Sequence, residues 1–164
     1  MKYFLVIALG LVFCTNAAAQ DKKFELQDVC GSPTTESMLY TVFSGEVVKI
    51  IDGDTILFKQ SNGKKKTVDL VTVNSGSNDA AAKDFLTKNL LKKKVEVLVS
   101  LNSDRERVWG LVRRDNQEIN RQMIEQGIAA FQMPESYSFS VYSSCVYRKM
   151  EEKAKQEKLG IWAK

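Results

Sequence analysis

From residue 45 onward the apolar positions follow two different rhythms. Residues 45–51 and 54–59 are rich in β-branched and aromatic side chains, which predicts two strands. Asn62-Gly63 is a strong short hairpin signal. Residues 66–73 alternate in part and form a third expected strand. The spacing then lengthens. Ala82, Phe85, Leu86 and Leu90 fall on one face of a helix over 79–91, with Ser77-Asn78 as its capping start. Residues 94–100 return to a strand pattern. A charged loop follows at 101–107, then a fifth strand at 108–114 closed by a turn at Asp115-Asn116. A short helix at 119–126 stops at Gly127. A loop around Pro134 leads to a charged helix at 145–159, ended by Gly160 and sealed by Ile161-Trp162. No repeat or low-complexity segment interrupts this order. It predicts an α+β, mainly β fold, a small five-stranded barrel with about three packed helices. Such barrels bind ligands on one face.

The first residues follow neither rhythm. Lys2, an apolar run over 3–14 and Ala17-Ala18-Ala19 have the layout of a cleaved secretory leader. The expected organisation is a signal peptide at 1–19, an arm at 20–41 and one domain at 42–164. The mature product is expected to be secreted, extracellular and without a membrane span. In that compartment Cys30 and Cys145 can form one bridge once Cys14 leaves with the leader. Closing so long a loop stabilises by about 4–5 kcal/mol in the chain-entropy model. Two free thiols or a bridge between chains are the alternatives.

Composition is that of an ordinary globular chain: 164 residues, 44% hydrophobic and 27% charged. A formal charge of +4 is too mild to demand a nucleic-acid partner. Lys64, Lys65 and Lys66 beside the hairpin, and Lys92, Lys93 and Lys94 after the first helix, are candidate basic patches. They are short and carry no interleaved aromatics, so solvated turns explain them as well. Tyr137, Phe139, Tyr142 and Tyr147 are read mostly as packing for the last helix, and Trp109 and Trp162 as core or seam residues.

Candidate chemistry concentrates in the turn Asp52-Gly53-Asp54, where two carboxylates flank a glycine suited to positive φ. The stretch Val47-Val48-Lys49-Ile50-Ile51-Asp52-Gly53-Asp54-Thr55 resembles the opening hairpin of the staphylococcal-nuclease-like (thermonuclease) family. Ile119-Asn120 with 123–129 is similar to that family's short helix, and 151–162 to its C-terminal helix and closing tryptophan. The resemblance spans roughly 42–163. It implies a five-stranded oligonucleotide/oligosaccharide-binding (OB) fold. It also implies calcium-dependent cleavage of DNA and RNA by metal-holding carboxylates, a general-base carboxylate and two phosphate-binding arginines.

The resemblance maps onto this chain unevenly. Asp54 matches the first metal carboxylate, Asp52 its acidic neighbour, and Arg107 the second arginine. Asp69 stands where the first arginine belongs, Asn74 at the second metal carboxylate, and Ser77 at the general-base glutamate. One change reverses a charge, one removes it, and one removes a base. Asp79 and the 64–66 lysines are the nearest substitutes and restore no guanidinium fork. Asp52-Gly53-Asp54 is therefore read as hairpin chemistry first, with metal absent or weakly held at Asp54. Arg107 has the alternative of structural bonds to carbonyls or to acids such as Asp104.

The expected function is a secreted, catalytically inactive nuclease-fold protein that needs no cofactor and binds an extracellular protein such as a cell-surface receptor. The alternatives are a calcium-dependent nuclease with a rearranged site and a non-catalytic binder of nucleic acid or sulfated polysaccharide.

Overall fold

A computed structural model describes residue 30 and residues 40–99, 104–133 and 141–163. Its strands are β1 (Thr41–Ile50), β2 (Thr55–Gln60), β3 (Lys65–Leu70), β4 (Val73–Asn74), β5 (Lys94–Val99), β6 (Arg107–Arg114), β7 (Gln117–Glu118) and β8 (Ala130–Phe131). Helices α1 (Asp79–Leu90), α2 (Ile119–Glu125) and α3 (Val141–Gln156) accompany them. The order β3-β2-β1-β5-β6 is closed by parallel pairing of β3 with β6, which makes the expected five-stranded OB barrel.

The closure rests on a bent first strand. Val47 pairs with Phe58 and Lys49 with Leu57, so Val48 is an extra residue in β1. A bulge of this kind increases twist and lets one strand serve two neighbours. β1 accordingly pairs with β2 over its second half and with β5 over its first. The β2–β3 hairpin turns at Asn62-Gly63, where Gly63 has φ +86° and the Asn62 side chain accepts the Lys64 N–H at 3.0 Å. The Asp115-Asn116 turn has both residues at positive φ, as a tight hairpin requires.

The interior is filled by side chains that alternate along the strands, Val47, Ile56, Phe58, Val68, Val97 and Val112 among them, all fully buried. α1 closes one side with Ala82, Leu86 and Leu90, and Phe85 packs at the margin. Its start differs from expectation. A 3₁₀ turn at Gly76–Asn78 precedes it, and neither Ser77 nor Asn78 caps it with a side chain. Asn78 instead donates to the Ile128 carbonyl at 2.8 Å, holding α1 to the chain after α2.

Inside α2, Asn120 is fully buried and acts as a polar rivet. Its Oδ1 accepts from Val112 N–H at 2.9 Å, and its Nδ2 donates to the Val71 and Gly110 carbonyls at 2.8 and 3.2 Å. One amide thus ties the helix to β6 and to the end of β3. Gly127 and Gly160 have φ +64° and +50°. Their backbones pass so closely that a Cβ on either would strike the other loop. Ile161 N–H donates to the Gly127 carbonyl at 2.9 Å, which seats the chain end.

α3 begins at Val141 rather than 145 and ends at Gln156 rather than 159. Cys145 therefore lies inside the helix, and its bridge to Cys30, 115 residues away, ties that residue to α3. Two short pairings escaped the sequence pattern: β7 with the end of β6, and the two-residue β4–β8 ladder. β3 also stops at Leu70 instead of 73, because the chain turns through Thr72 at φ +70°. The expected leader at 1–19, most of the 20–41 arm, and Tyr137 and Phe139 lie outside the described residues.

Replacing Asn120 by Ala strips side-chain partners from three buried backbone groups. We expect a loss of about 2–4 kcal/mol in chemical denaturation, with the m-value unchanged. A loss below 0.5 kcal/mol, within the usual range for surface substitutions, would show that the rivet is dispensable.

Candidate functional site

The 51–54 turn is held by hydrogen bonds before any ligand is considered. Ile51 and Asp52 N–H donate to the Thr55 carbonyl at 2.9 and 3.3 Å, and Asp54 N–H donates to Asp52 Oδ1 at 3.1 Å. That is the local side-chain-to-backbone bond expected of Asp in turns. Gly53 is needed for a different reason than the expected one, since its φ is not positive. A Cβ there would come within 2.6 Å of Ser75 Cβ and 2.7 Å of Asp79 Oδ1. Its N–H donates to Asp79 Oδ1 at 2.6 Å. The glycine lets the turn lie against α1.

Asp54 is similarly engaged. Its Oδ2 accepts from both the N–H and the hydroxyl of Ser75 at 3.1 Å, while its carbonyl accepts from Leu70 N–H at 2.7 Å. Burial pushes its carboxyl above the ordinary Asp value, more than the Ser75 bonds pull it down. Ser75 was not singled out from the sequence, yet it serves as the clasp between the turn and the chain leaving β3. Asp79, considered there as a replacement base, is structural: it accepts from Gly53 N–H and lies 3.2 Å from the Ser75 hydroxyl.

Barrel closure places Asp69 beside Arg107. Arg107 opens β6 rather than lying in the preceding loop, and its partner is Asp69 rather than Asp104. Nε donates to Oδ2 and Nη2 to Oδ1, both at 2.8 Å, in a two-bond fork. The carboxylate holds the guanidinium above its ordinary value. Asp69 does not pair with Asp54 as an acidic couple; the Thr55 hydroxyl lies between them, 3.1 Å from Asp69 and 3.4 Å from Asp54. The Arg107 side chain is 68% exposed, so the ion pair contributes no more than about 1 kcal/mol. Its consequence is chemical: an incoming phosphate meets a carboxylate wherever it meets this arginine.

The remaining matched positions are dispersed. Asn74, in β4, donates to Gln132 Oε1 at 2.5 Å. Ser77 is exposed in the 3₁₀ turn. Calcium, which the fold family implies, does not fit this donor set. Asp69 is taken by an arginine, Asp54 Oδ2 by two donors, and the Asn74 amide bonds Gln132. Among the described residues no three Asp, Glu, Cys or His side chains converge to hold a metal ion.

Asp52, Asp54, Asp69, Arg107, Trp109 and Gln132 line one groove of about 730 Å³. Trp109 is not a core residue, because 47% of it is exposed. The signal for this was present: in Arg107-Val108-Trp109-Gly110 strand alternation puts Trp109 on the face of Arg107, with Val108 and Gly110 inward. Trp162 is half-buried, with the Lys155 ammonium 4.4 Å from its ring centre. Tyr147 is buried, stacks on Phe131 at 5.7 Å and donates to Glu118.

The basic patches are reduced in one respect. Lys66 is only 7% exposed; its ammonium lies 5.3 Å from the centre of the Phe43 ring and donates to the Arg105 carbonyl. Lys64, Lys65, Lys92, Lys93 and Lys94 are exposed.

A family model for the staphylococcal nuclease homologue matches residues 63–164, and the chain belongs to that family. The match begins after the acidic turn, but β1 and β2 complete the same barrel. No curated protein matches the chain.

Because burial raises the folded-state pKa of Asp54, ionising it opposes folding. That penalty grows as pH rises through the ordinary Asp range and is complete above the raised value. Asp54→Asn is expected to raise the melting temperature at neutral pH and to lose that advantage near pH 4, where the aspartate is about half protonated even when exposed. Millimolar calcium is expected to leave both melting curves unmoved. A calcium-dependent rise in the wild-type midpoint alone would restore Asp54 as a metal ligand.

Proposed function

We propose that this nuclease-fold chain works by binding an extracellular protein partner and does not cleave phosphodiester bonds. The observation that carries the reading is the Asp69–Arg107 fork. Arginine serves phosphoryl chemistry by offering a free planar fork to developing negative charge. Here that fork is occupied by a carboxylate standing where the family resemblance expects another arginine. Loss of one transition-state donor alone costs about 10²–10³ in rate. Asn74 and Ser77 add the loss of a metal carboxylate and of a general base.

Secretion is part of the proposal. The Cys30–Cys145 bridge suits an oxidising compartment, and among the described residues no helix is long and apolar enough to cross a membrane. A polyanion-binding role draws less support, since Lys66 is engaged inside the fold and the outer lysines have no stacking aromatics among them.

The test is incubation of the mature protein with single-stranded DNA and RNA, in calcium and in chelator. Equal, background-level breakdown in both is the expected result. Calcium-dependent cleavage that disappears in Arg107→Ala overturns the proposal.

A further inference from the structure

The groove that in an active nuclease would receive phosphate carries the opposite preference here. Among its lining residues, three carboxylates (Asp52, Asp54 and Asp69) face one guanidinium, that of Arg107, which Asp69 already neutralises. Asp79 adds a further carboxylate behind the turn, and the Lys83 ammonium is bound to the Ile51 carbonyl at 2.9 Å. The groove is thus acidic on a chain whose net charge is +4. Such a local inversion favours cations and repels polyanions.

Two further features point to a ligand. Trp109 pairs with Asp69 across the β3–β6 seam, so both side chains stand on the same outer face. An exposed indole beside a carboxylate offers a cation both a π face and a counter-charge. Thr72 also lines the groove, and it is 98% buried by its 2% exposure. Its hydroxyl oxygen has no hydrogen-bond partner within the described chain and is shielded from solvent, so a ligand donor reaches it only as the groove wall gives way. A buried hydroxyl left without a partner is costly, and an N–H donor from a ligand relieves it.

From these observations we infer that the groove binds an arginine side chain presented by a basic segment of the protein partner. Guanidinium fits each feature: its plane lies on the Trp109 indole, its positive charge faces Asp52, Asp54 and Asp69, and its several N–H donors suit the Thr72 hydroxyl. The inference rests on the binding reading above and names the chemistry of the partner.

Isothermal titration calorimetry of the mature protein, in chelator and without nucleic acid, reads this separately from cleavage. The probe is a synthetic peptide of alternating arginine and glycine, with the matching citrulline peptide as its uncharged counterpart. The arginine peptide is expected to bind and the citrulline peptide not. Trp109→Ala should weaken binding about tenfold, the size of a partly desolvated cation–π contact, and Trp109→Phe should recover part of it. Asp54→Asn should weaken it as well, whereas Glu96→Gln, in β5 and outside this groove, should leave it unchanged. No binding at millimolar peptide overturns the inference. Equal binding of the two peptides, or indifference to both Trp109→Ala and Asp54→Asn, also overturns it. Such a failure leaves the binding proposal standing, because only cleavage in the nuclease assay removes that.

Discussion

Everything that defines the candidate site hangs on the parallel seam where β3 meets β6. Thr67, Val68, Asp69 and Leu70 pair with Arg107, Val108, Trp109 and Gly110. The inward members, Val68, Leu70 and Val108, are buried, and that apolar burial is what holds the seam shut. The outward members then have no freedom to be elsewhere. Asp69 must face Arg107 and Trp109 must stand beside them. A pairing of residues so far apart in sequence is a product of barrel closure, not of any local preference. A slip of one residue would send Asp69 into the core, so the hydrophobic pattern also enforces the charge pattern.

The same logic explains how the acidic turn is held by the chain's own hydrogen bonds. Asp52 and Asp54 accept bonds from Asp54 N–H and Ser75, and Asp79 accepts from Gly53. Each carboxylate has a structural duty in joining the barrel mouth to α1. Gly53 belongs to that joint as well, through close approach rather than through a special backbone angle. The turn's carboxylates therefore serve the fold directly. Across the barrel, Glu118 shows a comparable arrangement: burial raises its carboxyl above the ordinary value while Tyr147 donates to it.

Much of this was readable from the chain, and the misreadings have physical causes. The five barrel strands, the three helices and the Asn62-Gly63 and Asp115-Asn116 turns follow from short-range signals, and the cysteine bridge from setting Cys14 aside with the expected leader. Element ends were less legible. α3 starts four residues early, and β3 ends early at the strained Thr72, where Val71 N–H bonds Gly110 instead of a hairpin neighbour. Lys66 looked like one of three equivalent lysines, but strand alternation turns it under Phe43 while Lys64 and Lys65 remain outside. Trp109 reads as a core or seam residue by type; it lies at the β3–β6 seam, and its alternation with Val108 turns it outward.

By itself the sequence determined the barrel and its packed helices, because hydrophobic period and turn residues are local properties, and its family resemblance drew attention to Asp69, Asn74 and Ser77. Only the tertiary structure decided which partners those residues meet. It set Asp69 in the fork of Arg107, gave Asp54 to Ser75, turned Asn74 toward Gln132 and left Trp109 standing over an acidic groove. Those partnerships join residues tens of positions apart. They exist because closing the barrel fixes which outer faces meet.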